Sequence, residues 1–86
     1  MNFRLSNHAI EEMEKRGISR ETLYPVLNNP QQVIAERDGK KAYQSQIDFG
    51  GGRIFLLRAI VNDVAYPAVV ITVYRTRNIL KYWRYE

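Results

Sequence analysis

His8 is the only histidine in the chain, and imidazole is the one side chain that ordinarily titrates near neutral pH, so acid–base work would fall to it. Ser6, two residues earlier, is a strong N-cap type, which sets His8 in the first turn of a helix and off the apolar stripe Ala9, Ile10, Met13. There it faces solvent or a cleft, where it serves either as a general base or as an ordinary surface histidine. A second candidate is Arg58, which interrupts the otherwise apolar alternation Ile54, Leu56, Ile60. A guanidinium in that position has to reach water, a structural carboxylate or a bound anion, because a buried unpaired charge is very costly. The third feature is a stretch in which Arg75, Arg77, Lys81 and Arg84 are interleaved with Tyr74, Tyr82, Trp83 and Tyr85. Cations attract phosphates and aromatic faces stack on unpaired bases, so the mixture suits a single-stranded nucleic acid or another polyanion. It equally suits an ordinary surface whose long stems and rings cap the core.

The charge is unevenly placed. The 86 residues hold 13 Lys plus Arg and 9 Asp plus Glu, a formal net charge of +4. Residues 1–48 carry seven cations and seven anions, whereas residues 49–86 carry six cations (Arg53, Arg58, Arg75, Arg77, Lys81, Arg84) and two anions (Asp63, Glu86). All the excess therefore lies in the second half. The chain has no cysteine, which removes disulfides, zinc ribbons and thiol nucleophiles, and one histidine provides no second imidazole for a histidine-based metal site. Neither a metal nor a cofactor is expected. A chain of this length makes a single domain, residues 1–86, with one small core and little room for a large enclosed active site. Met1 to Ser6 has neither the apolar run nor the cleavage site of a signal peptide, and no apolar stretch is long enough to span a bilayer. The expectation is a cytoplasmic protein with no membrane partner.

The elements that must position these residues can be read from caps and periodicity. Ser6 caps a helix over Asn7 to Arg16, with Lys15 and Arg16 at its negative end and Gly17 as the C′ residue. Ser19 caps a second helix with apolar positions Leu23, Val26 and Leu27, shortened or kinked by Pro25 and ended by Asn28, Asn29 and Pro30. The period then changes to two. Gln32 to Arg37 and Lys41 to Asp48 flank an Asp38-Gly39 turn, Gly50 to Gly52 turn into a strand over Arg53 to Val61, and Ala68 to Arg75 is the most apolar β-branched run. The spacing predicts an α+β fold in which two N-terminal helices pack on a roughly four-stranded antiparallel meander. Val69, Ile71 and Val73 would face the helices, leaving Val70, Thr72 and Tyr74 on the open face. The tail from Asn78 to Tyr85 reads as either a short C-terminal helix or an extended edge segment.

Ser6, Asn7, His8, Ala9, then Met13, then Arg16, Gly17, Ile18, Ser19 resemble the N-terminal signature of a bacterial family known as domain of unknown function 4258. Val26, Leu27, Pro30, the central Tyr43 and the strand Val70 to Tyr74 fit the same pattern, whereas Glu12 stands where the family often has a basic residue. That family is thought to be similar to the RelE and ParE toxins and to a wider barnase, EndoU, colicin and RelE grouping of RNA-cleaving folds. The resemblance implies a toxin-like protein of a toxin–antitoxin system that cleaves RNA without a metal, the ribose 2′-hydroxyl attacking its own phosphate. His8 would then be the base or acid, Arg58 and Arg75 would stabilise the phosphate, and Tyr74 would be an acid or stacking group. Tyr43 and Thr72 would position substrate, with Arg53, Arg75 and Arg77 binding it. The implied partners are RNA or the ribosome, and an antitoxin protein whose disordered segment folds over the basic surface. ParE-like toxins, which act on gyrase, show that the fold does not require RNA cleavage. The alternative is a non-catalytic nucleic-acid- or protein-binding member of the same fold, to which Glu12 and the lack of a sequence-evident triad point. A third reading makes the aromatic, basic tail a mere cover for the core.

Overall fold

A computed structural model describes residues 2–85. Its elements run in chain order as β1 (Phe3–Leu5), α1 (Asn7–Arg16), α2 (Arg20–Asn28), β2 (Gln32–Ala35), β3 (Lys41–Asp48), β4 (Ile54–Asn62), β5 (Ala68–Thr76) and α3 (Ile79–Tyr82). Both long helices begin and end where the caps place them. The Ser6 hydroxyl accepts the Ala9 N–H, and at the other end Gly17 takes the left-handed conformation (φ 65°) while the Ile18 N–H closes on the Met13 carbonyl at 2.9 Å. A left-handed residue is unstrained only without a Cβ, which is why glycine stands there. Ser19 caps α2 through the Thr22 N–H. Pro25 does not cut α2 short, because it forfeits one backbone hydrogen bond while Leu23, Val26 and Leu27 bury fully on the side facing the sheet.

The strands form one α+β layer pair with a mixed five-stranded sheet in the order β1-β5-β4-β3-β2. The four-stranded antiparallel meander expected from the turns is present as β2 to β5, but it is incomplete. Phe3–Leu5 adds a fifth strand parallel to β5, with Phe3 opposite Ala68 and Leu5 opposite Val70. Three residues show too little alternation to announce a strand, and the partner lies far along the chain. A second correction concerns β5. A bulge between Ile60 and Val61 shifts the register, so that Val73 faces Ala59 but Val70 faces Val61. Val70 and Val73 therefore share the helix-covered face, where both are fully buried, in place of the regular Val69, Ile71, Val73 alternation.

The core lies between the helices and this face: Ala9, Met13, Ile18, Leu23, Val26 and Leu27 pack against Tyr43, Leu57, Ala59, Val61, Val70 and Val73. The opposite face is crossed by the C-terminal segment, in which Ile79–Tyr82 make a single helical turn before the chain extends. Leu56 and Ala42, on that second face, are also fully buried although they stand outside the main cluster. No helix among the described residues is long and apolar enough to cross a membrane.

Candidate nucleic-acid interface

The register places Gln32, Gln44, Arg58 and Tyr74 in one row across four strands, on the face away from the helices. Their side chains are hydrogen-bonded in sequence. The Gln44 amide donates to Gln32 Oε1 (2.9 Å), Arg58 Nε donates to Gln44 Oε1 (2.7 Å) and Arg58 Nη1 donates to the Tyr74 hydroxyl (2.6 Å). Arg58 Nη2 reaches Glu36 Oε2 at 3.1 Å, and the Tyr82 ring covers the guanidinium at 4.2 Å. The tail is tied to the same row. Gln44 Nε2 donates to the Tyr82 carbonyl (3.2 Å), Gln32 Nε2 donates to the Arg84 carbonyl (2.6 Å), and the Arg84 N–H donates to Gln32 Oε1 (3.1 Å). Arg58 is only 2% exposed, and among the described residues no buried side-chain polar atom lacks a partner. Burial pushes the Tyr74 hydroxyl above its ordinary value against the pull of Arg58, so the phenol stays neutral. Each of the three nitrogens of this guanidinium that the tail covers already donates one hydrogen bond to the protein itself.

His8 lies elsewhere. It is exposed in the first turn of α1, on the helix layer, while Arg58 and Tyr74 lie on the opposite face of the sheet. Thr72 is half-buried beside Tyr74, one row along, opposite Ile60. Tyr43 points the other way, into the core, with its ring edge-on to Phe3 (5.9 Å between centroids) and its hydroxyl donating to Asp63 Oδ2 at 2.8 Å. Lys41 donates to the same oxygen at 3.1 Å. Burial pushes the Tyr43 hydroxyl up to about 12, helped by the neighbouring carboxylate. Burial also acts to raise Asp63, but the hydrogen bonds from Tyr43 and Lys41 outweigh it and hold the carboxyl below its ordinary 3.8. Of the proposed catalytic set, only Arg58 and Tyr74 meet.

The substrate-binding candidates Arg53, Arg75 and Arg77 gather at the far end of the sheet. Phe49 and Phe55 flank the glycine turn on its two arms and pack edge to face, 5.4 Å apart. The Arg75 guanidinium lies 4.4 Å from the Phe49 ring centroid and 4.8 Å from that of Phe55, and Arg77 lies 5.3 Å from Phe55. Arg53 closes the turn, its carbonyl accepting the Phe49 N–H, and Gly50 to Gly52 all take positive φ, which glycine alone adopts without strain. Among the described residues none of Arg53, Arg75, Arg77, Lys81 and Arg84 forms an ion pair, although Lys15, Arg16, Lys40, Lys41 and Arg58 do. Asp48, the carboxylate nearest in sequence to the turn, accepts the Gly50 N–H at 2.7 Å. Stacking on a ring holds a guanidinium in place while leaving its edge free for phosphate oxygens. The Phe49–Phe55 platform was missed in the sequence because its signal, aromatic residues on both arms of a glycine turn, has meaning only once the hairpin pairs.

The fold and site together define a small α+β domain with helices on one face of a mixed sheet and a cationic, aromatic-backed end. The family model described as Domain of unknown function (DUF4258) matches residues 5–75, and the chain belongs to that family. No curated protein and no solved structure shows a significant match.

Proposed function

We propose that the protein binds single-stranded nucleic acid, RNA foremost, through the cationic end built on Phe49 and Phe55, without cleaving it. The observation that carries this reading is that Arg75 and Arg77 stack on that ring pair while forming no ion pair among the described residues. Stacked, unneutralised guanidinium groups attract phosphates and hold them at fixed positions along a strand. Cleavage through the 2′-hydroxyl needs a base, a phosphate-stabilising cation and an acid around one phosphate. His8 stands across the sheet from Arg58 and Tyr74, which favours binding over the toxin-like ribonuclease reading that the family resemblance implies. The test is the affinity for a fluorescent single-stranded RNA as salt rises. The logarithm of the affinity should fall linearly with the logarithm of salt, by about 0.7 for each phosphate contacted, whereas a salt-independent affinity or none would contradict the reading. His8→Ala should bind like the parent and should leave RNA as intact as the parent does.

A further inference from the structure

A cavity of about 320 Å³ opens on the helix-covered face between the C-terminal end of α2 and β3, lined by Pro25, Val26, Asn28, Asn29, Gln31, Ser45 and Ile47. Its size is at the bottom of the range for ligand sites, roughly 300 to 1,000 Å³, enough for one planar ring system and too small for a large ligand. The floor is apolar. Ile47 and Val26 supply aliphatic surface, and Ser45 is committed to the Gln31 N–H at 3.0 Å.

The rim is made of neutral amides with unused hydrogen-bonding capacity. Asn28 spends its NH₂ group on the Tyr24 carbonyl (3.0 Å), leaving its Oδ1 free to accept. Gln31 spends its Oε1 on the Gln46 N–H (2.9 Å), leaving its NH₂ group free to donate. Among the described residues, the Asn29 side-chain amide makes no hydrogen bond and offers both functions, while its backbone N–H donates to the Pro25 carbonyl at 2.9 Å. No carboxylate lines the cavity, so nothing there repels a phosphate bound next to it. Mixed neutral donors and acceptors over an apolar floor complement the edge and face of a nucleobase.

Position links the cavity to the cationic end. Ile47 and Phe49 are two residues apart, project to the same side and are separated by about 6.7 Å along the strand direction, and Phe49 carries Arg75. We infer that this cavity receives one unpaired base of a strand whose adjacent phosphates lie on Arg75 and Arg77. The inference rests on the binding reading given above and adds to it a site that recognises the base itself. It makes the protein a reader of exposed bases, where charge alone would make it a binder of any polyanion.

The experiment compares an oligouridylate and an oligoadenylate with an abasic sugar–phosphate strand of equal length, measured by fluorescence anisotropy at one salt concentration. At least one base-bearing strand should bind about tenfold or more tightly than the abasic strand, the scale of one good bidentate contact to a base edge. Asn29→Ala, a neutral change at an exposed position that removes both hydrogen-bonding functions without adding charge, should erase most of that difference while lowering abasic binding little. Equal affinity for abasic and base-bearing strands overturns the base site yet leaves phosphate binding standing. A preference for bases that survives Asn29→Ala also overturns it, placing the bases on another surface. Binding to none of the strands overturns both the base site and the reading beneath it.

Discussion

At the scale of single residues, the fold separates side chains that look alike in the sequence. Arg58 and Arg75 are both strand arginines, yet one is enclosed and paired and the other stacks on rings and, among the described residues, forms no ion pair. Arg58→Ala would leave Gln44, Tyr74 and Glu36 without their common donor. Glu36 is partly exposed and can turn to water, so the cost is set by the enclosed charge-assisted hydrogen bonds to Gln44 and Tyr74, about 2 to 4 kcal/mol, a large part of an ordinary domain's stability. Urea unfolding should show a loss of that order, and a loss below about 1 kcal/mol would mean that the network contributes little. Asp63 is the residue to follow in acid. Its folded pKa lies below its unfolded value, so the stability it adds is complete above that unfolded value and disappears as pH falls through the folded one. Asp63→Asn should therefore lower stability at neutral pH and flatten the acid limb of the stability–pH curve, which denaturation at a series of pH values below about 5 can read.

At the scale of elements, the long helices and the four antiparallel strands were legible because their signals are local. Ser6 and Ser19 cap within three residues, Gly17 ends a helix at its own position, and the strand alternations need no distant partner to be seen. What was illegible depends on pairing. Phe3–Leu5 becomes a strand only beside Ala68 to Val70, and the face of Val70 is decided by a bulge at Ile60 and Val61. The tail shows the same limit. Nothing local in Asn78 to Tyr85 says that its carbonyls will meet Gln32 and Gln44, so the sequence left helix and extended edge both open; the structure contains one after the other. A chain ending at Arg77 would uncover Arg58 and lose the hydrogen bonds from Gln32 and Gln44 to the tail. Its stability should fall by about 3 kcal/mol or more, with a matching drop in the urea midpoint. An unchanged midpoint would show that the tail is an appendage and not a cover.

At the scale of the whole molecule, the excess charge of the second half divides into two populations. Arg58 is consumed internally, while Arg53, Arg75 and Arg77 collect around one hairpin end and, among the described residues, form no ion pair. That division explains why the candidate site was only partly readable in the sequence. The cation-rich stretch was visible, but which cations are free depends on Glu36, Gln44 and two phenylalanines that come from other strands. The helical half carries balanced charge and the lone histidine, and the sheet keeps it apart from Arg58 and Tyr74. The central claim is thus that stacked, unpaired arginines at one end of the sheet hold a nucleic-acid backbone. The most direct measurement is the salt dependence of single-stranded RNA binding by the parent and by Arg75→Ala, Arg77→Ala double variant protein. The variant should bind at least about tenfold more weakly, and its log–log salt slope should be shallower by about 0.7 for each arginine removed. An unchanged affinity and slope in a variant that still folds would contradict the account.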